Sequence, residues 1–181
     1  MANLLARLNL RVMPPALHVA SWDGHGAPLL LVHGMAAHSH WWDTTAPRLA
    51  QHLRPAALDL SGHGDSGWRE DGVYNATRWV SDVEEARQAL GWERFALCGH
   101  SLGARVAIDY ALAHPGRLSA LIAVVFLTEA SGRRFSRPRP QPQPHYDDPA
   151  SAAGRFRLMP PGTTLGESVL ADLARQSIKK D

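Results

Sequence analysis

The sequence predicts an α/β protein, a mostly parallel sheet with helices flanking it. Three observations carry this. Short unbroken apolar runs, PLLLV at residues 28–32 and FALC at 95–98, suit strands buried on both faces. Segments of helical spacing lie between such runs, as at Val80, Val83, Ala86 and Leu90. Strand and helix then alternate from about residue 28 to residue 127, the order from which parallel sheets are built.

The elements follow in order. Leu8 to Val12 and Leu17 to Ser21 alternate in part and flank Pro14-Pro15, so they read as two early strands forming a hairpin. Pro28 to Val32 is the first buried strand, ending at His33-Gly34. Trp41 to Leu53 is expected to be a helix with Pro47 near its start, where proline is best tolerated. Ala56 to Leu60 is the next strand and SGHGDSG a loop. Trp79 to Leu90 is a helix closed by Gly91, and Phe95 to Cys98 a buried strand. Leu102 to Ala113 is a helix stopped by Pro115-Gly116, and Leu118 to Leu127 is the last strand. Residues 131–149 hold five prolines and four arginines without apolar period and read as a linker. Leu165 to Ile178 recovers a weakly amphipathic helix. The expected organisation is therefore a core over residues 1–127 and a linker with further helix over 128–181.

Composition narrows the function. A chain of 181 residues, 45% apolar and 20% charged, can bury a core. A formal charge of +2 calls for neither nucleic acid nor an anionic membrane. The single cysteine, Cys98, excludes an intrachain disulfide. No apolar run reaches the roughly 18 residues of a membrane span, and the N-terminus is too polar for a signal peptide. A cytoplasmic protein acting on a small molecule is the expectation, with the oligomeric state open.

Chemistry concentrates in residues 95–106, FALCGHSLGARV, which hold G-x-S-x-G at Gly99, Ser101 and Gly103. A serine there sits on a tight strand-to-helix turn. Side chains at either flank would strike the neighbouring strand or helix, so small residues are needed. The turn lifts the hydroxyl clear of the sheet and aims the first amides of the next helix at a substrate oxygen. A buried strand precedes the motif and a helix follows it, which is the context it needs. An oxyanion hole takes two amide donors. The residue after the nucleophile, Leu102, is one, and the loop following the earlier strand supplies the other, Met35. His33 is expected to brace that loop.

The stretches LLLVHGMAAHSHWWD, LDLSGHGDSG and LCGHSLGARV, in this order, resemble the signatures of the α/β-hydrolase superfamily over residues 7–127. FRLMPPGTT and the helix before QSIKK are similar to the opening of a helical cap in single-domain esterase-like members. The resemblance implies an α/β-hydrolase core whose C-terminal strands are missing, followed by the start of a cap. It implies a serine hydrolase, most simply of carboxylic esters, with Ser101 as nucleophile and the Met35 and Leu102 amides as oxyanion hole. No metal or organic cofactor is implied. Serine in place of aspartate at the elbow argues against dehalogenase or epoxide hydrolase chemistry.

The base is harder to find. In this family the order is Ser, then acid, then His, and only His114 and His145 follow Ser101. His114 closes the helix that Ser101 opens, about 20 Å away at ~1.5 Å per residue. His145, near Asp147 and Asp148, lies on a Pro-rich loop that would fix it poorly. Glu129, following the last strand, is the acid candidate. A sheet ending at residue 127 would leave an apolar edge unpaired, so the expectation is a fragment whose histidine and acid lie beyond Asp181 in a complete relative. An inactive or binding-only remnant is the alternative.

Other motifs have plainer readings. Gly62, Gly64 and Gly67 match G-x-G-x-x-G, but REDG follows rather than an apolar helix. His38, His40 and Asp43 lack the spacing of a metal cage. Asp59 belongs to the structural LDLSGHG loop. Trp41 and Trp42 read as core or pocket aromatics, the arginines at 133–139 as a solvated loop, and Cys98 as a core thiol.

Overall fold

The computed structural model describes residues 8–12, 16–124, 148–156 and 165–178. Two compact units are present, residues 1–127 and 128–181. Unit 1 is built on a six-stranded sheet of order β1-β2-β4-β3-β5-β6. The strands are β1 Leu8–Val12, β2 Leu17–Ser21, β3 Ala27–Val32, β4 Leu53–Asp59, β5 Phe95–His100 and β6 Leu118–Val124. β1 and β2 form the expected antiparallel hairpin, and β2 joins β4 antiparallel. The β4–β3, β3–β5 and β5–β6 pairs are parallel, so the sheet is mixed only at its β1–β2 end.

The unbroken apolar runs are explained by burial on both sides. Side chains along a strand alternate faces. Leu30 and Val32 of β3, with Phe95 and Leu97 of β5, join one cluster with Val83 and Ala86 of helix α2 (Ala76–Ala89) and Val106 and Tyr110 of helix α3 (Leu102–Ala113). Leu29, Leu31 and Cys98 point the other way, towards Ala46 and Ala50 at the short helix α1 (Ala46–Leu49). α2 starts at Asn75, whose side chain accepts the Arg78 amide and so satisfies one of the orphan N–H groups of the first turn. It is clamped to α3 by the Tyr110 hydroxyl, which donates to Glu84 at 2.7 Å. Arg87 and that hydroxyl hold Glu84 down to about 2, with Arg87 the larger influence.

One element departs from expectation. The helix expected from Trp41 to Leu53 is replaced by a 3-10 turn, Ser39–Trp42, the four-residue α1, and the opening of β4. The apolar residues there serve two structures. Pro47 starts a new helix rather than continuing one, while Leu53 to Pro55 pair with Ala27 to Leu29 of β3. Pro55 is tolerated inside β4 because the ladder with β2 begins only at Ala56.

β6 pairs with β5 and lies at the end of the sheet; Leu121, Ile122 and Val124 are exposed. Residues 125–127 of the expected strand lie outside the described residues. In unit 2, helices α4 (Pro149–Gly154) and α5 (Glu167–Gln176) pack on each other, and α5 falls within the expected Leu165–Ile178 helix. α4 was not expected; the Asp148 side chain caps it by accepting the Ser151 amide at 2.9 Å.

Candidate active site

Ser101 connects β5 to α3 with φ 52° and ψ −109°, a left-handed conformation that costs an L-residue about 1–3 kcal/mol. Its carbonyl accepts the Ala104 and Arg105 amides, so it caps the helix through its backbone. Its own amide donates to the Val124 carbonyl at 2.9 Å, which ties the turn to the end of β6. The flanking glycines have steric causes. A β-carbon on Gly99 would collide with the Gly103 carbonyl, and one on Gly103 with the Val32 and His33 carbonyls. The N-terminus of α3 therefore lies directly against the end of β3.

The loop after β3 meets this turn. A β-carbon on Gly34 would stand 2.9 Å from His100 Nδ1 and 3.4 Å from Ser101 Cβ. The Ala37 amide closes a turn on the Gly34 carbonyl at 3.2 Å, and Ala36 within it has φ 56°. Ala36 and Ser101 are the two non-glycine residues of positive φ among the described residues, one on each of the loops that touch at Gly34. Met35 is exposed and Leu102 half-buried. Among the described residues, neither the Met35 nor the Leu102 amide donates a hydrogen bond.

Beneath this surface two buried groups hold the loops. His33 is 1% exposed. Its Nδ1 donates to the Gly34 carbonyl at 2.7 Å, while Nε2 accepts the Leu60 amide at 3.2 Å. Acceptance at Nε2 requires a neutral ring, and burial lowers its pKa to about 4. His33 thus braces the loop as expected. Asp59 is fully buried and accepts from His18 Nδ1 at 2.8 Å, the Asp65 amide at 3.0 Å and the Ser39 amide and hydroxyl. Burial alone would raise its pKa, but the His18 and amide hydrogen bonds outweigh burial and bring it to about 2. His18, Asp59 and Asp65 also stand close enough to share a metal ion, but the carboxylate oxygens of Asp59 are already taken up by hydrogen bonds.

The other motifs settle into this frame. A β-carbon on Gly64 would strike the Asp59 carboxylate, and Gly62 and Gly64 have positive φ, so these glycines let the loop wrap Asp59. Ser39 serves Asp59, while His40 pairs with Asp43 at 2.7 Å. His114 ends α3 and stacks on Tyr110 at 4.5 Å. Cys98 is buried, which pushes its thiol pKa up. Glu129, His145, Asp147 and the arginines at 133–139 lie outside the described residues. No described helix is long and apolar enough to cross a membrane.

Three features escaped the sequence reading. Ala36 carries no local sign of a left-handed turn. His18 lies 41 residues from Asp59. Asp82 is buried, accepts the Ser61 amide at 2.8 Å and pairs with Arg69, fastening the loop after β4 to α2.

The chain is similar to several known proteins. A fluoroacetate dehalogenase of Burkholderia sp is 37% identical over 102 residues, 54% of this chain and 34% of that protein. A pimeloyl-[acyl-carrier protein] methyl ester esterase of Aliivibrio fischeri is 37% identical over 115 residues, 63% of this chain and 40% of that protein. The solved thioesterase domain from the curacin biosynthetic pathway superposes with a TM-score of 0.75 at 27% identity, over 96% of this chain and 68% of that one. The chain spans 30% to 40% of the length of the first curated relatives it matches. Residues 27–149 match the family described as alpha/beta hydrolase fold, and they contain the parallel strands, the strained serine turn and the loop packed against it, so the chain belongs to the α/β-hydrolase family.

Proposed function

We propose that this chain carries the nucleophile half of a serine hydrolase acting on carboxylic esters or related acyl bonds. Ser101 attacks the acyl carbon, and the Met35 and Leu102 amides receive the negative charge that develops on its oxygen. One observation carries the reading. Ser101 is held in a costly left-handed conformation at the head of α3, against a second loop turned by a strained residue of its own. Strain of this kind persists where the surroundings impose it, and it gathers at sites of chemistry. The esterase and thioesterase relatives point to acyl substrates. The dehalogenase relative points to carbon–halogen cleavage, for which a hydroxyl is a poorer nucleophile than a carboxylate.

The serine proton must pass to a base during attack. Among the described residues we assign none. Both ring nitrogens of His33 are engaged, and His114 stands at the far end of α3. Glu129 is retained as the acid candidate. This gap supports a second reading, a chain that binds without turnover.

A fluorophosphonate probe tests the proposal. Labelling that Ser101→Ala abolishes supports the nucleophile. A folded chain whose Ser101 stays unlabelled would leave only the second reading. Activity on aryl esters but not on fluoroacetate would separate acyl from halide chemistry, and Glu129→Gln should slow ester turnover if Glu129 is the acid.

A further inference from the structure

The geometry points to His100 as a positioning residue, one whose ring is wedged between the serine turn and the loop after β3 and sets the gap between them. This rests on the reading of Ser101 as nucleophile. His100 is the last residue of β5, directly before Ser101, and is half-buried. The edge of its ring that carries Nδ1 and Cε1 lies against Gly34. A β-carbon on Gly34 would stand 2.9 Å from Nδ1 and 3.4 Å from Cε1, and the same point is 3.4 Å from Ser101 Cβ. Gly34 therefore leaves room that the His100 ring takes, and glycine, ring and serine meet at one place.

Three further observations give this contact its role. The β3–β5 ladder ends at Val32 and Gly99, and among the described residues no backbone hydrogen bond joins residues 33–37 to residues 101–105. Gly103 seats α3 against the Val32 and His33 carbonyls, and beyond that point packing at Gly34 sets the spacing. Second, the His100 ring makes no hydrogen bond among the described residues, whereas His33 and His18 spend ring nitrogens on buried groups. Its contribution is shape. Third, Ser101 has φ 52°, and such strain persists only where the neighbours leave no room to relax. Rotation about that φ swings His100 relative to α3, and a ring seated on Gly34 opposes the swing. Without the ring, Ser101 can relax and the loop can shift, and a displacement of ~1 Å at a reacting centre is enough to cost rate.

The experiment measures fluorophosphonate labelling of Ser101 in His100→Ala, His100→Phe, Gly34→Ala and the Gly34→Ala/His100→Ala double variant, with rates divided by the folded fraction from thermal melts. His100→Ala is expected to label about tenfold more slowly, with the loss in the maximal rate and not in the probe concentration for half-saturation. His100→Phe keeps a flat ring without nitrogens and is expected to retain most of the parent rate. Gly34→Ala, whose methyl displaces the ring, should also be slow. In the double variant that methyl no longer meets a ring, so the loss should be smaller than the product of the two single losses. A folded His100→Ala that labels like its parent, a His100→Phe as slow as His100→Ala, or losses that multiply would each overturn the inference while leaving Ser101 as nucleophile. A parent that is not labelled at all overturns both. Should His100→Ala unfold the chain, Gly34→Ala carries the test. A slower rate per folded molecule supports the inference, and the parent rate overturns it.

Discussion

The Nε2 of His33 accepts the Leu60 amide at 3.2 Å, and through it the loop following β3 is tied to the loop following β4. His33 Nδ1 donates to the Gly34 carbonyl, so one neutral ring fixes the start of the turn that faces Ser101. This makes the site sensitive to acid through a residue that takes no proton from substrate.

The pKa of buried His33 is lowered from 6.5 to about 4. Below pH 6.5 the unfolded chain takes up a proton that the folded chain refuses, so stability is full above that pH and is lost as pH falls towards 4. Between pH 7 and 5 this residue is expected to cost about 2 kcal/mol. Urea denaturation at the two pH values should show the loss, and His33→Gln, though less stable at pH 7, should show a smaller one.

Asp59 has the opposite sign. Its folded pKa of about 2 lies below the unfolded value, so its contribution is present above about pH 4 and disappears as pH falls through 2. Asp59→Asn keeps the shape but removes the charge that His18 and the amides of Ser39 and Asp65 serve. A loss of about 3 kcal/mol at pH 7 is expected, because hydrogen bonds to a buried charged group contribute about 1.5–3 kcal/mol each. A melting midpoint equal to the parent's would show that the network contributes nothing.

Ser101→Gly should separate stability from reactivity. Glycine accepts the 52° φ without penalty. The variant is expected to be more stable by roughly 1 kcal/mol while losing all labelling. Ser101→Ala, which keeps the strain, should lose labelling without the gain. Equal melting midpoints for the two variants would argue that no strain is stored there.

Gly103→Ala should be among the most damaging single-methyl additions, because the new carbon meets the Val32 and His33 carbonyls, which are backbone and cannot swing aside. A cost of about 3 kcal/mol is expected from forced separation of α3 and β3. Gly154→Ala meets no atom within 4 Å and lies inside α4, so it serves as the neutral or stabilising control. Circular dichroism melts compare the two.

Much of this was legible along the chain because it is encoded locally. The runs PLLLV and FALC mark β3 and β5 because a strand buried on both faces has no polar side to show. The spacing of Gly99, Ser101 and Gly103 announces the turn, because each glycine answers a clash within a few residues or against the adjacent strand. The helix expected at Trp41 to Leu53 failed for a local reason as well, since apolar spacing cannot tell a short helix followed by a strand from one long helix.

The sequence by itself determined the sheet's parallel centre and the place of Ser101, since periodicity and glycine spacing are properties of neighbouring residues. Tertiary structure alone decided that His18 serves Asp59 and that Arg69 pairs with Asp82. It alone decided that Ala36 bends left in the turn that begins at Gly34. Those choices follow from where distant segments meet and which buried polar atoms must then find partners, and no short stretch of chain carries that information.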